Sequence, residues 1–193
     1  MATGHAEPAT PALAQEPPST PWASLDRRQV VELTLPGVAI GVLTGGILGV
    51  VVAGGGEPFH VALFAAVTLG VPLSVAGAGY EILVAKGRVP LGMLTPVALY
   101  WAVAFTLCRV FQTALLDLYA GSEAAVPHGW LDFLAYQALV SVGFGIGYWW
   151  LHENFAPLWW MRIRERNPVA DDLVRVKLQA VDAVEAQRAE RAR

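Results

Sequence analysis

The sequence predicts an all-α membrane protein: a bundle of four transmembrane helices with an extended N-terminal tail and a C-terminal cytoplasmic amphipathic helix. Three observations predict it. Hydrophobic residues fill 55% of the 193 positions and charged residues 15%, against about 25% charged in a soluble domain. The uncharged residues gather in four blocks. The first, Leu33–Gly56, runs 24 residues without Asp, Glu, Lys or Arg, long enough to cross a bilayer. Finally, lysine and arginine fall on alternate connections between the blocks, as they do where a chain threads a membrane repeatedly.

Residues 1–29 are rich in proline and alanine, lack hydrophobic periodicity and contain no apolar signal-peptide core. They read as a cytoplasmic tail, with insertion left to the first span. A transmembrane domain is expected over residues 30–166. Its first span covers 34–53, with Pro36 near its start, where a missing N–H costs little, and Gly54-Gly55-Gly56 at its end. A second span covers 58–83, and Pro72 in its middle should kink it. The third covers 90–118 and carries Arg109 within it. The fourth covers 131–156, followed by an aromatic belt through Trp159 and Trp160, with Pro157 bending or ending the helix. Residues 167–193 begin with Asn-Pro, an N-cap followed by proline at the first helical position. They continue as a polar helix with Leu173, Val176, Ala180 and Ala183 on one stripe, suited to lie on a membrane surface or a partner.

Charge sets the expected orientation. Arg27 and Arg28 precede the first span, Lys86 and Arg88 lie between the second and third, and Arg162, Arg164 and Arg166 follow the fourth. The connections at Glu57 and at Tyr119–Trp130 carry no lysine or arginine. Both termini are therefore expected in the cytoplasm, in a bacterial plasma membrane.

Gly37, Gly41, Gly45 and Gly49 recur every four residues and so share one helix face. In lipid such a glycine zipper lets a second backbone approach closely. Gly70, Ser74 and Ala78 on the second span, and Gly143, Gly145 and Gly147 on the fourth, add further small-residue surfaces. Gly143 and Gly147 are expected to pack helices as the first-span glycines do.

Chemistry-bearing residues are sparse. Arg109, with Gln112, Thr113 and Asp117 three, four and eight positions on, forms a polar stripe on the outer half of the third span. It suits an anion, a lipid headgroup or the polar part of a quinone, or else an ion pair of Arg109 with Asp117 or Asp132. Glu57, His60 and His128 fall near the outer face and are weak metal candidates, because their spacing matches no ligand motif. His152 and Glu153 are neighbours that point about 100° apart on a helix, so they read as interfacial polar residues beside the tryptophan belt. Glu81, at a similar depth, suits pairing with an arginine. Cys108, the single cysteine, reads as an apolar core residue. No nucleotide loop, nucleophile motif or metal motif occurs, so no catalytic residue and no cofactor is predicted beyond a bound lipid or quinone.

Taken together, these features predict a non-catalytic accessory subunit of a larger integral membrane complex, of respiratory or membrane oxygenase type. Its partners would be the bilayer and other membrane subunits. The net charge of −3, with no basic patch, gives no footing to nucleic acid. A small transporter or channel, or a redox enzyme using the outer-face histidines and carboxylates, is the alternative.

Overall fold

The computed structural model describes residues 24–120 and 129–192. The tail before residue 24 and the stretch holding Glu123 and His128 lie outside them. Among the described residues five α-helices follow one another: α1 (Arg27–Gly54), α2 (Phe59–Ala85), α3 (Leu94–Ala120), α4 (Trp130–Ile163) and α5 (Pro168–Arg191). The first four are long and apolar enough to cross a membrane, so the chain is an integral membrane protein. Among the described residues there is no strand.

Helix α1 starts earlier than hydropathy alone suggests. Asp26 and Gln29 form a reciprocal capping box: Gln29 N–H donates to Asp26 Oδ1 at 2.8 Å, and Asp26 N–H donates to Gln29 Oε1 at 3.0 Å. Each bond satisfies a backbone donor at the helix start. Arg27, Arg28 and Gln29 are therefore helical, although composition groups them with the tail. Helix α2 is continuous through Pro72, and α4 continues through Pro157 to Ile163 instead of stopping near residue 156. Packed neighbours make interior proline tolerable in such helices. The α2–α3 connection passes through Gly87 and Gly92, with φ of +67° and +78°. Glycine adopts this left-handed region without strain, and the third helix accordingly starts at Leu94, four residues beyond Pro90.

The helices close into a ring: α1 packs on α2, α2 on α3, α3 on α4, and α4 returns to α1. The α1–α2 seam is made by the glycine ladder. A Cβ placed on Gly37 would stand 2.3 Å from Gly77 O, one on Gly41 would stand 2.4 Å from Ser74 N, and one on Gly45 would stand 2.6 Å from Ala66 O. These are backbone atoms, so the two helices touch main chain to main chain. The four-residue ladder is thus consumed inside the chain. Ser74 Oγ–H adds a polar link, lying 3.2 Å from Val38 O across the seam and 2.7 Å from Gly70 O in its own helix.

Gly143 and Gly147 differ. Both face outward with no atom within 4 Å of an added Cβ, while Gly145 between them packs against Ala98 and Trp101. The packing expected of Gly143 and Gly147 does not occur within this chain. Residues two apart on a helix point to opposite sides, so only one of the two sets can face the bundle.

One end of the bundle is closed by α5. Val169, Ala170, Leu173 and Val174 are buried in the same core as Leu33 and Trp160, so the apolar stripe of α5 starts earlier than residue 173 and seats on its own chain. Asn167 caps α5 by accepting from Ala170 N–H at 3.3 Å, and its amide donates to Gln29 O at 2.9 Å. Gln29 Nε2 returns a bond to Arg166 O at 2.8 Å, and Trp159 Nε1 donates to Glu32 O at 2.7 Å. Arg166 also pairs with Glu32 at 3.1 Å. The start of α1 is thereby fastened to the α4–α5 corner.

Candidate functional site

Helix α4 is inverted in polarity relative to a soluble helix. Its buried residues include Gln137, Ser141, Tyr148 and His152, while Leu131, Leu139, Val142, Ile146 and Leu158 are exposed. Lipid solvates the apolar side of such a helix, so polar groups turn inward to find partners. Two polar clusters result, one toward each end of the bundle.

The first surrounds Arg109. Its Nε lies 3.3 Å from Gln137 Oε1, and Nη1 donates to Gln112 Oε1. Gln112 Nε2 passes the connection on, donating to Ala65 O of α2 at 3.1 Å. The stripe foreseen on α3 therefore comes together at Arg109 and Gln112, and Thr113 beside them is buried too. Gln137 is a member that hydropathy conceals, since an uncharged amide hardly disturbs an apolar span. This network joins α2, α3 and α4 through amides that solvate a half-buried cation by hydrogen bonding. Asp117 lies half-buried further along α3. Asp132 is exposed in the first turn of α4, where a carboxylate complements the helix dipole. Glu57 and His60 are both exposed. Among the described residues no group of three or more His, Cys, Asp or Glu side chains is placed to hold a metal, and His128 lies outside those residues.

The second cluster lies at the α5 end. Glu81 of α2 meets His152 of α4, with Oε1 and Nε2 at 3.0 Å and side-chain exposures of 1% and 2%. The partner of Glu81 is thus a histidine, not an arginine. Tyr80 and Tyr148 enclose the imidazole, with ring centroids 5.2 and 5.8 Å away, and Trp160 sets its edge against it at 5.6 Å. The 3.0 Å approach is off the hydrogen-bond direction. Glu81 Oε1 and Oε2, His152 Nε2, Tyr148 Oη and Trp101 Nε1 all lack an aligned partner. Buried polar atoms are nearly always satisfied, so this concentration marks the place in the described structure where polar chemistry is least spent on the fold.

Glu153, one residue on, turns away from Glu81. Its Oε1 accepts Gly92 N–H at 3.2 Å and lies 3.9 Å from His152 Nδ1, and its Oε2 contacts Lys177 of α5. The sequence does contain the signal for this cluster: Glu81 is the one acidic residue inside an otherwise uncharged second span. What one-dimensional spacing lacks is the partner, because residues 81 and 152 lie on helices that meet only in the folded ring.

The fold and this site define a class: an integral membrane protein of four apolar helices holding a buried acid–histidine pair. No protein family, curated protein or solved structure matches the chain.

Proposed function

We propose that the protein is a non-catalytic accessory subunit of a larger integral membrane complex in a bacterial plasma membrane, with both termini cytoplasmic. The observation that carries this reading is the open face at Gly143 and Gly147, four residues apart on α4, with nothing within 4 Å of either. Glycine weakens a helix, and against lipid it offers no compensating side-chain contact. Its use on a membrane helix is to let another helix come close. Within this chain Gly37, Gly41, Gly45 and Gly49 already have such a partner in α2. Gly143 and Gly147 of α4 do not, and Leu139, Val142, Ile146 and Trp150 flank them with exposed apolar surface.

Orientation rests on where the basic residues gather. Arg166 sits beside Glu32 near the start of α1, and Glu153 ties the α2–α3 connection to Lys177 of α5. The lysines and arginines flanking the spans thus cluster at the α5 end, and positively charged ends face the cytoplasm.

Two measurements test the reading. Native mass spectrometry in mild detergent should find the 20.7 kDa chain inside a larger hetero-oligomer, and the double variant Gly143→Leu/Gly147→Leu should release it while the chain stays folded. A monodisperse monomer without companions overturns the subunit reading. A reporter fused at Gly121 should report the outer side, and a cytoplasmic signal there overturns the orientation.

A further inference from the structure

Four ionisable side chains stand in line from the surface of α5 into the bundle. Lys177 contacts Glu153, Glu153 lies 3.9 Å from His152 Nδ1, and His152 Nε2 lies 3.0 Å from Glu81 Oε1. Side-chain exposure falls along the line from 28% through 15% and 2% to 1%. Three helices supply these groups, so the line is a product of the tertiary fold. Beyond Glu81 it stops. Trp101, Phe144 and Phe105 pack ring on ring, with centroid distances of 4.8 and 4.7 Å, and separate it from the Arg109 cluster.

A buried ion pair that serves only stability needs aligned hydrogen bonds to offset the loss of hydration. Here both oxygens of Glu81, Nε2 of His152 and Oη of Tyr148 remain without an aligned partner. His152 Nδ1, 3.9 Å from Glu153 Oε1, is left able to accept a proton while Glu81 beside Nε2 offsets the charge gained, and the ring packing around the pair suits no larger species. We propose that Glu81 and His152 form a proton-binding site, loaded from the α5 end through Glu153 and sealed on the far side by Trp101, Phe144 and Phe105.

Before loading, Glu81 is a carboxylate and His152 is neutral, with its proton on Nε2 facing Glu81. A protonated Glu153 carboxyl turns toward His152 Nδ1, its O–H bond breaks and an N–H bond forms. The product is an imidazolium beside the Glu81 carboxylate, with no net charge, and Glu153 returns to carboxylate beside the Lys177 ammonium. A hydronium ion at the α5 surface protonates Glu153 again and leaves as water. Unloading reverses each bond. The other titratable groups facing the pair are Tyr80 from α2, Tyr100 from α3 through its contact with Tyr80, and Tyr148 from α4. Each is a phenol that stays neutral through this cycle. The site stands independently of the subunit reading, since it lies within one chain.

The test uses the full chain in lipid nanodiscs with ¹⁵N-labelled histidine, the His152 signal being assigned by its loss in His152→Gln. Between about pH 5 and 9, where imidazole chemistry operates, the His152 ring nitrogens should titrate reversibly. Glu81→Gln should move that midpoint by about one pH unit or more, a tenfold change in proton affinity. Glu153→Gln should slow exchange of the Nδ1 proton with water about tenfold. Glu153 stands at the edge of the bundle, so this variant carries the test alone if Glu81→Gln does not fold. A His152 signal that does not titrate overturns the proposal, as does a midpoint unmoved in a folded Glu81→Gln variant or an exchange rate unchanged in Glu153→Gln. A midpoint that follows sodium or potassium concentration at fixed ionic strength also overturns it and assigns the site to a metal cation.

Discussion

Substituting Gly41 by alanine perturbs the middle of the α1–α2 seam, where helix meets helix through backbone atoms. The new Cβ would lie 2.4 Å from Ser74 N, 2.6 Å from Ser74 Cα and 2.7 Å from Leu73 C. All three are backbone atoms, so no rotamer change relieves the overlap. Restoring a contact of 3.4 Å requires α1 and α2 to separate by about 1 Å. A radial gap of that order forfeits about a quarter to a half of each van der Waals contact it opens. Gly37 and Gly45 meet α2 equally closely on either side, so the loss spreads along the seam. The Ser74–Val38 hydrogen bond, already 3.2 Å long, stretches with it. Overpacking of this kind costs about 1–3 kcal/mol, partly offset by up to about 1 kcal/mol of helix propensity gained from alanine. Gly46→Ala is the control: it lies in the same helix, receives the same propensity gain and has nothing within 4 Å. Cys108, the single thiol, is buried and reports opening through its rate of alkylation in detergent. Gly41→Ala should alkylate about 5- to 150-fold faster than Gly46→Ala, the range that 1–3 kcal/mol implies. Equal rates in the two variants would refute the main-chain seam.

Three further outcomes are expected. Ser74→Ala removes the one described side-chain hydrogen bond across that seam and should cost about 0.6 kcal/mol, the average for such bonds in membrane bundles, read as a small rise in Cys108 alkylation. Gln112→Leu removes the acceptor of Arg109 Nη1 and one of the donors to Ala65 O. Leaving a buried polar group unsatisfied costs about 1–3 kcal/mol, and thermal unfolding in detergent should show a clear loss that Gln112→Asn does not restore, because its shorter side chain cannot reach both groups. Asn167→Ala removes the α5 cap and the donor to Gln29 O. A lost cap alone costs about 1 kcal/mol, so protease cleavage between α4 and α5 should accelerate about fivefold or more, with α1–α3 still protected.

The four spans, the α5 helix and the gathering of basic residues on alternate connections are written in composition and period. Apolar length decides spanning, and Asn167-Pro168 marks the start of α5 without reference to any other helix. The polar stripe of Arg109 and Gln112 is legible for the same reason: both lie on one helix at local spacing. Two readings needed more. The glycine ladder announces a close approach but not the identity of the approaching helix, since small residues serve contacts within a chain and between chains alike. Pro157 reads as a helix end because local rules count its missing N–H, while the packed bundle around Trp160 and Ile163 carries the helix onward.

The sequence by itself determined that this chain resides in a membrane, which segments cross it and which ends gather positive charge, because those properties depend on local length, composition and charge. Only the tertiary structure decided that Gly37, Gly41, Gly45 and Gly49 are spent on α2 while Gly143 and Gly147 stay open. It alone set Glu81 against His152. Both outcomes depend on which helix faces which once the ring has closed, and residues 71 positions apart carry no common period that could reveal it.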